Sequence, residues 1–519
     1  MKVINSKEVK FYPSLINDYI SGKLSQDGII NWKYSENQVL ENASNRNFSK
    51  LQREVLVKGL KKQYKNFQLS KAEEQSLSLL NNDTCYTITT GHQLNLLGGA
   101  QFFYTKILDV IRLASKLSDN SEYNFVPIFW MATEDHDYEE ISNLSIFGEK
   151  ISCPGVNKGP VGRISNSHFL DFIAEIEIIL GDEERFKEVK KIISTAFNDH
   201  KTLSEITRSF VQSLFSEKGL LIIDGDDEDF KKQFSKIAIQ EVESQTSYKA
   251  VSKQLLLMRN YKIQVKPRDI NLFYIEDEVR ERIVKTEFGF STVNRLKKWT
   301  HKSFKDFAEN SASSLSPNVL LRPLYQELLL PNVAYIGGAG EISYWLELEP
   351  MFKDFGVQYP LPIVRTSYFV VPLKMMNWLG SNKIDFIFLF GNKDILLNNL
   401  IKLIGSGDIS LEKEKQELKN FYNKLIKKAK LISLDLEKVI LGEEKRANSA
   451  LMNVEKRFIN AEKKNHEQTI CKLNNIISKV FPKGVPMERE HSFIPLITRE
   501  GFKFPKPNDL FKGEIIIVS

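Results

Sequence analysis

Short apolar runs alternate along the chain with stretches whose apolar residues recur at helical spacing. Residues 85–89 (CYTIT) form a β-rich run, residues 101–117 carry an apolar stripe on one helix face, and residues 124–132 (NFVPIFWMA) are apolar almost throughout. An apolar run without alternation is typical of a strand buried on both faces, as in a parallel sheet. A strand, a glycine-rich turn, a helix and a buried strand in this order predict a βαβ unit.

The same alternation returns further along the chain. Residues 219–224 (GLLIID) predict a strand that is followed by a helix through residues 230–242. We expect further strands at 318–321, 332–338 and 361–365, with a helix at 340–355 between the last two. Repeated strand–helix pairs of this kind favour a single α/β core with a parallel sheet.

Two stretches do not follow the strand–helix rhythm, and we interpret them as insertions into the core. Residues 147–218 open with a segment rich in glycine and proline, and residues 246–316 contain a basic, hairpin-like part. The predicted organisation is N-terminal helices and the first part of the core (1–146), a first inserted region (147–218), core (219–245), a second inserted region (246–316), the last part of the core (317–407), a helical arm (408–480) and a segment that returns to the core (481–519).

The predicted arm carries a heptad pattern. Leucine, isoleucine or valine recurs every seven residues from Leu411 to Val439, and after Gly442 apolar residues resume out of phase. Seven-residue spacing predicts a coiled coil, and the phase break near Gly442 predicts a bend or a hairpin of two helices. The arm either packs on its own core or forms a dimer interface.

The composition of the chain argues against a nucleic-acid-binding protein and a membrane-spanning protein. The 519 residues are 42% hydrophobic and 27% charged with a net charge of +6, which is typical of a globular protein and too balanced for a nucleic-acid-binding coat. No stretch is long and apolar enough for a membrane span. The three cysteines are far apart, and the N-terminus has no apolar signal region, so we expect a soluble cytoplasmic protein with no membrane or nucleic-acid partner.

A glycine-rich turn joins the first predicted strand to its helix. It reads Thr90-Gly91-His92-Gln93 and continues to Gly98-Gly99. Open α/β sheets bind ligands at this position, and a helix N-terminus offers free N–H groups to an anion. The spacing fits neither a dinucleotide-binding fingerprint nor a phosphate-binding P-loop, so the turn is either a ligand cradle or only a tight turn.

An acidic cluster follows the buried strand at Trp130. Residues 134–139 contain four carboxylates and His136. Such a density at a cleft requires a cationic partner, such as a substrate ammonium, Mg²⁺ or an arginine, and His136 is a candidate general base. The alternative is a solvated acidic turn with a helix N-cap. A zinc site is less favoured, because no cysteine accompanies the two histidines of this region.

Polar and glycine residues also follow the later predicted strands. Arg322 is a candidate for bidentate binding of a carboxylate or phosphate, and Arg365 ends the last of these strands. Residues 335–341 (YIGGAGE) repeat the order of strand, glycine-rich turn and helix. Because such groups recur at successive strand ends, they favour one shared cleft.

With these motifs the chain resembles the family of the bacillithiol biosynthesis cysteine-adding enzyme, BshC. Four segments carry the resemblance: residues 90–106 (TGHQLNLLGGAQFFYTK), 126–141 (VPIFWMATEDHDYEEI), 316–345 (SPNVLLRPLYQELLLPNVAYIGGAGEISYW) and 486–490 (PMERE). The first motif of the family usually reads Thr-Gly-Gln-Gln, and His92 replaces the first glutamine here.

The resemblance implies a Rossmann-like parallel-sheet core with two inserted connecting regions and a C-terminal coiled-coil arm that supports a homodimer. It implies the last step of bacillithiol synthesis, in which L-cysteine is joined to the amine of glucosaminyl-malate. Because amide formation from a free carboxylate is unfavourable in water, we expect the cysteine carboxyl to be activated by ATP or a similar nucleotide with Mg²⁺, and no tightly bound metal. The alternative is another synthetase-like ATP-dependent amino-acid ligase or a nucleotidyl-transferring enzyme.

These considerations assign roles to residues. The expected catalytic residues are His92, Glu134, Asp135, His136 and Asp137. The expected substrate-binding residues are Thr90, Gly91, Gln93, Trp130, Arg322, Tyr335, Gly337, Gly338, Glu341 and Arg365, and the expected nucleotide-binding residues are Gly98, Gly99 and Lys374. Arg489, in the PMERE segment, either reaches the cleft or forms a surface salt bridge. We expect no role for Cys85, Cys153 or Cys471.

Overall fold

The structure is a computed structural model that describes residues 1–155, 159–404, 410–497 and 503–519. These residues form two compact units, Met1–Phe369 with Glu488–Val518, and Val370–Met487. The second unit is therefore inserted in the sequence between Phe369 and Glu488 of the first. The predicted start of the arm at Asp408, and residues 156–158 of the first predicted inserted region, lie outside the described residues.

The strands number as follows in chain order: β1 (Lys2–Asn5), β2 (Cys85–His92), β3 (Asn124–Met131), β4 (Asn143–Ile146), β5 (Glu149–Ser152), β6 (Leu221–Asp224), β7 (Leu272–Glu276), β8 (Val279–Thr286), β9 (Gly289–Thr292), β10 (Lys298–Trp299), β11 (Leu315–Pro317), β12 (Asn332–Gly337), β13 (Leu361–Val364), β14 (Ser367–Val370) and β15 (Glu514–Val518).

The α-helices of the first unit are α1 (Ser14–Ile20), α2 (Lys23–Gln26), α3 (Glu36–Asn45), α4 (Lys50–Gln63), α5 (Lys71–Leu79), α6 (Gln101–Asn120), α7 (Tyr138–Ile141), α8 (Leu170–Leu180), α9 (Lys187–Asp199), α10 (Leu203–Phe215), α11 (Glu228–Ser244), α12 (Thr246–Leu257), α13 (His301–Asn310), α14 (Leu321–Leu329), α15 (Ala339–Asp354) and α21 (Ile494–Ile497). Those of the second unit are α16 (Leu373–Ser381), α17 (Lys393–Ile404), α18 (Glu412–Lys430), α19 (Leu434–Asn465) and α20 (Glu467–Val480).

A five-stranded parallel sheet in the order β13-β12-β2-β3-β6 forms the centre of the first unit. It confirms the predicted Rossmann-like core. Strands β2 and β3 are buried along almost their whole length, which explains why the sequence of β3 shows no polar alternation. The strand order reverses direction between β2 and β12, and the carboxyl ends of strands at such a switch point form the usual ligand crevice of an open α/β sheet.

Further sheets lie outside this core. Strands β10, β9, β8, β7 and β11 form an antiparallel sheet in that order, and β7 and β8 are the hairpin that the basic pattern predicted. Strands β4 and β5 pair as a short hairpin after the first half of the core. The chain ends meet in a third sheet of order β1-β15-β14. The boundaries assigned above to the two inserted regions remain predictions.

One predicted core strand is wrong. Residues 318–321 do not form a strand, because α14 begins at Leu321 and the preceding strand, β11, belongs to the antiparallel sheet. The Asn318 side-chain oxygen accepts the backbone N–H groups of Leu320 and Leu321 at 2.9 and 3.2 Å, which satisfies donors that a starting helix leaves free. The three apolar residues 319–321 are compatible with either a strand or a helix, and the hydrogen bonds from Leu320 and Leu321 to Asn318 favour the helix here.

The second unit contains long helices, as the heptad pattern predicted, but the turn is not where the pattern placed it. Helices α18 and α19 pack against each other and are joined at residues 431–433, whereas Gly442 lies inside α19. The Ser433 side chain accepts the Leu436 N–H at 3.1 Å and thus caps α19. Ile432 and Val439, two residues of the heptad series, are exposed.

None of the helices in the described part of the chain combines the length and the apolar composition that crossing a membrane requires.

Candidate active site

A cavity of about 1270 Å³ opens at the carboxyl ends of the parallel strands in the first unit. Gly91 and His92 at the end of β2 line it, as do Trp130 and Met131 of β3 and Tyr335 of β12. The two strands at the switch point are joined there, because the Gly91 N–H donates to the Tyr335 hydroxyl at 3.2 Å. The cleft predicted from successive strand ends is therefore present.

A buried ion pair forms the floor of this cavity. The Lys106 ammonium donates to the Gly91 carbonyl at 2.6 Å and lies 3.0 Å from Glu341 Oε2. The Tyr335 hydroxyl donates to the other oxygen of Glu341 at 2.5 Å. Burial acts to raise the pKa of Glu341, but Lys106 and the Tyr335 hydroxyl outweigh it and hold this pKa below its ordinary value. The floor is thus a fixed cation–carboxylate pair that joins α6 to α15.

His92 is uncharged at neutral pH. Burial and the nearby Lys106 ammonium lower the pKa of His92 to about 3. Its Nδ1 lies 3.1 Å from the Gln93 carbonyl, an acceptor only, so the ring proton resides on Nδ1 and leaves Nε2 as an acceptor. The ring stacks on Phe102 with centroids 5.3 Å apart. His92 can therefore accept a hydrogen bond in this cavity but cannot act as a protonated acid.

The side chains of the acidic cluster after β3 lie in different environments. The carboxylate of Glu134 lies 2.8 Å from the buried ammonium of Lys231, which also contacts Asp226 at 2.6 Å. Asp137 does not line the cavity, and its side chain caps α7 by accepting the Glu140 N–H at 3.3 Å. Asp137 therefore agrees with the alternative interpretation of the acidic cluster, a turn that caps a helix, and not with a catalytic residue in the cavity.

Asp135 and His136 face the cavity together. Asp135 accepts hydrogen bonds from Gln93 Nε2 at 3.0 Å and from the His136 N–H at 2.7 Å. Although burial acts to raise the pKa of Asp135, these hydrogen bonds and the charge of Arg280 lower it well below its usual range. Asp135 therefore stays ionised and is suited to binding a cation such as a substrate ammonium.

Arg280 is a site residue that the sequence did not reveal. It lies on β8, and its guanidinium donates to His136 Nδ1 at 2.8 Å and to the Pro317 carbonyl at 3.0 Å. It also stands 4.1 Å above the centre of the Phe273 ring. Because arginine can only donate, His136 must accept at Nδ1, and its available proton is on Nε2. In this arrangement Arg280 occupies Nδ1 of His136, and Nε2 is the donor that the ring can offer to a ligand of the cavity.

Arg322 lines the cavity from α14 and not from a strand end. Its guanidinium donates to Gln326 at 3.1 Å and lies 5.9 Å from the centre of the Tyr335 ring. Gly91 gives room to the Tyr335 hydroxyl, since a Cβ at residue 91 would stand 3.2 Å from it, whereas Arg322 Nη1 would be in ordinary contact at 3.4 Å. The expected position of Arg322 in the cleft is correct, although the expected local structure was not.

Arg365 is buried and already paired. Both of its Nη atoms contact the Glu488 carboxylate, at 3.0 and 2.8 Å. Glu488 is fully buried and comes from the PMERE segment, which thus does return to the core. Arg489, the next residue, lines the cavity. The prediction that Arg365 lies at the cleft is correct, but its guanidinium is not free for a bidentate substrate contact.

The other predicted residues divide between the cavity and the packing around it. Gly338 and Gln93 line the cavity. Thr90 is buried and donates to the Ile336 carbonyl at 2.7 Å, so it joins β2 to β12, and Gly337 packs against α15.

Gly98 and Gly99 have φ values of +75° and +64°, and a Cβ on Gly98 would stand 2.5 Å from Phe103. These two glycines form a tight turn outside the cavity lining. Lys374 lies on α16 of the second unit.

Positive charge dominates the lining. Eight cationic side chains and five carboxylates line the cavity. Three of these cations, Lys266, Arg268 and Arg282, come from the segment and hairpin around β7 and β8, and within the described residues none of the three forms an ion pair. An unpaired cationic wall favours an anionic ligand such as a carboxylate or a phosphate.

The segment that carries Lys266 and Arg268 is held by a buried carboxylate. Glu347 on α15 accepts the backbone N–H groups of Gln264 and Val265 at 2.8 and 3.0 Å. Burial raises the pKa of Glu347 to about 7, against the effect of these hydrogen bonds. Its proton is therefore held more tightly in the folded chain than in the unfolded one.

This raised pKa predicts how stability depends on pH. Between about pH 4.5 and 7 the unfolded chain releases the Glu347 proton and the folded chain retains it, so the free energy of unfolding falls as pH rises, by at most ~1.4 kcal/mol per pH unit. Glu347→Gln is expected to remove this part of the slope. Urea unfolding of both proteins across this range measures it, and parallel stability profiles would contradict the prediction.

The cysteines are expected to be dispensable for activity. Cys85 and Cys153 are buried free thiols, and Cys471 is exposed on α20 in the second unit. Burial raises the pKa of Cys85 to about 12 and also raises the pKa of Cys153, so both remain protonated and poorly nucleophilic. We expect Cys→Ser at each position to keep kcat within about threefold of the unchanged protein. Loss of turnover in Cys153→Ser at normal stability would instead indicate a thioester route.

Comparison with known proteins gives a consistent result over almost the whole chain. Residues 1–366 match the family model of the bacillithiol biosynthesis BshC N-terminal Rossmann-like domain, and residues 372–507 match that of the BshC C-terminal coiled-coil domain. A protein of Flavobacterium johnsoniae named "Putative cysteine ligase BshC" is 36% identical over 95% of this chain and 93% of its own.

Two further relatives carry the same name. The protein of Flavobacterium psychrophilum is 36% identical over 96% of this chain and 94% of its own, and that of Christiangramia forsetii is 30% identical over 94% and 93%. The parallel sheet with its switch-point cavity and the helical second unit agree with both matched domains. The chain belongs to the BshC family of bacillithiol biosynthesis.

Proposed function

We propose that this protein is a ligase that joins L-cysteine to the amine of glucosaminyl-malate, the last step of bacillithiol synthesis. The observation that carries the proposal is the cavity at the switch point, because an ionised Asp135 and three cations without an ion pair among the described residues line it together. Cysteine carries an ammonium and a carboxylate, and the malate moiety carries two carboxylates. The cavity offers a carboxylate for the ammonium and cations for the carboxylates of these substrates. The names of the relatives support the choice of cysteine.

Asp135 is proposed to bind the cysteine ammonium. It is ionised, it lines the cavity, and Gln93 and Arg280 fix its position. His136, whose Nε2 proton is available, is proposed to donate a hydrogen bond to the reacting carbonyl oxygen as negative charge develops there. Lys106, which lines the same cavity, is proposed to add positive charge to it. Glu134 is proposed to position this loop through Lys231 rather than to contact a substrate.

ATP with Mg²⁺ is proposed as the co-substrate, since it supplies the activation that a free carboxylate needs before amide formation. Lys266, Arg268 and Arg282 are suited to the phosphate groups, because they are cationic, face the cavity and form no ion pair within the described residues. Gly98 and Gly99 are not proposed as part of this site, since their turn packs against Phe103. The free thiols of all three cysteines are compatible with a reducing compartment, and we propose that the reaction takes place in the cytoplasm.

A homodimer formed through the helical hairpin is also proposed. Phe421, Val439, Met452 and Phe458 of α18 and α19 are all more than 40% exposed, although they are large and apolar. A second copy of the hairpin is a partner that would cover such residues. Sedimentation equilibrium of the protein and of a Phe421→Glu/Phe458→Glu variant tests this, with a shift from dimer to monomer expected.

The proposed reaction is tested by incubating the purified protein with glucosaminyl-malate, L-cysteine and Mg²⁺, with and without ATP, and following the thiol product by mass. Product that depends on ATP is expected, and the nucleotide released, AMP or ADP, reports which bond of ATP is broken. Product without ATP would overturn the activation step and keep the cysteine transfer. ATP consumption with other amino acids or amines and none with this pair would favour a different amino-acid ligase.

A further inference from the structure

Arg489 differs from three other cations of the cavity lining, because among the described residues its side chain has no hydrogen-bond or ion-pair partner. Lys106 is paired with Glu341 and Arg365 with Glu488, and Arg322 donates to Gln326. Arg489 lines the same cavity, is exposed, and within the described part of the chain forms neither an ion pair nor a side-chain hydrogen bond.

The backbone on both sides of Arg489 is firmly held. On one side, Glu488 is fully buried, grips both Nη atoms of Arg365 and accepts the Tyr368 N–H at 2.9 Å. On the other side, the His491 carbonyl accepts the Gln101 N–H at 2.7 Å, and the Ser492 N–H donates to the Ser145 carbonyl at 2.8 Å. Arg489 is thus a solvent-accessible guanidinium on a fixed backbone.

The Glu488 contacts also settle which arginine is available to a ligand. Arg365 has both Nη atoms committed to Glu488, and a bidentate grip on a carboxylate needs two parallel N–H donors. In the described part of the chain, the N–H donors of the Arg489 guanidinium make no side-chain hydrogen bond. The carboxylate-binding role that the sequence suggested for Arg365 is therefore open to Arg489, the residue after Glu488.

We propose that Arg489 binds a carboxylate of the sugar-acid substrate and that Glu488, through Arg365 and Tyr368, is the positioning residue that holds Arg489 at the cavity. The identity of the substrate rests on the proposed function. The chain leaves the first unit after Phe369 and returns at Glu488, so the site is completed only by residues that follow the second unit in the sequence.

The test is isothermal titration of L-malate, glucosaminyl-malate and ATP into the full-length protein and its variants, without turnover. Arg489→Gln is expected to weaken binding of both malate-containing ligands roughly 10- to 100-fold and to leave ATP binding unchanged. Arg489→Lys keeps the positive charge but not the two parallel N–H donors of the guanidinium, so it is expected to bind malate more weakly than the unchanged protein and more tightly than Arg489→Gln. Arg259→Gln, which removes an exposed arginine outside the cavity lining, is the matched control and should bind all three ligands normally.

Glu488→Gln tests the positioning role separately. If it remains folded, we expect a higher KM for glucosaminyl-malate with kcat and the KM for cysteine little changed. The two Arg489 variants decide the binding role whether or not Glu488→Gln folds, because Arg489 is exposed and none of the described residues pairs with it.

The outcomes separate this inference from the proposed function. Unchanged malate binding in Arg489→Gln, a loss confined to ATP, or no malate binding by the unchanged protein would each overturn the inference, whatever the turnover assay shows. Malate binding that depends on Arg489 in a protein that makes no thiol product would support the inference and overturn the proposed reaction.

Discussion

Replacing Lys231 by methionine is expected to lower the free energy of unfolding by about 3–5 kcal/mol. Lys231 is 1% exposed, and its ammonium lies between the carboxylates of Glu134 and Asp226 at 2.8 and 2.6 Å. Without it, the buried Glu134 carboxylate loses its contacting ammonium, and Asp226 keeps only Arg163 as a cationic partner. Urea unfolding at neutral pH measures the loss, which should shrink toward pH ~5 as the carboxylates take up protons.

Lys232→Met provides the matched control for this prediction. Lys232 is the next residue on α11, and it forms exposed ion pairs with Glu228 and Asp229 at 3.0 and 3.3 Å. Such pairs contribute little, so the control should change stability by less than ~1 kcal/mol. Equal losses in the two variants would show that the buried position of Lys231 has no special importance.

Replacing Lys106 by methionine is expected to reduce kcat/KM by roughly 10²- to 10³-fold. The substitution removes the ammonium that contacts the Gly91 carbonyl and Glu341 at the cavity floor, where positive charge is proposed to act on the reacting groups. Steady-state kinetics of the proposed reaction measures the effect. Lys116→Met, on the exposed face of the same helix and paired with Glu36, should retain full activity.

A second variant separates catalysis from folding at this position. Lys106→Met leaves the Glu341 carboxylate without its cation, so stability should fall as well. Adding Glu341→Gln removes that charge and should restore much of the stability without restoring turnover. Recovery of activity in the double variant would show that Lys106 serves only to neutralise Glu341.

The core of the fold was predictable because local sequence determines it. The buried strand at 124–131 is too apolar for any solvent-facing element, and the helix that follows Gly98-Gly99 has a clear apolar stripe. Short apolar runs are less informative, so residues 318–321 were assigned to a strand although Asn318 starts a helix. Gly442 suggested a break, but an exposed helical glycine costs only ~1 kcal/mol, and the actual turn has Ser433 as its cap.

The candidate site was predictable where residues follow strand ends, and less so where distant segments converge. Gly91, Asp135 and Tyr335 belong to motifs at the carboxyl edge of the sheet, which is a local signal. Arg280 reaches the cavity from the basic, hairpin-like part of the second predicted inserted region, in which the sequence indicated no site residue. Nothing local shows that Glu488 occupies the guanidinium of Arg365, since only the fold brings these two residues together.

The sheet that joins the chain ends constrains the order in which this protein can fold. Strand β1 has β15 as its antiparallel partner, with Val3 opposite Ile516. During synthesis β1 therefore remains without this partner until β15, far later in the sequence, has been made. Closing a loop of this length has a large entropic cost, so we expect this pairing to form last. Nascent chains that end before β15 would leave β1 and the facing edge of β14 without their common partner.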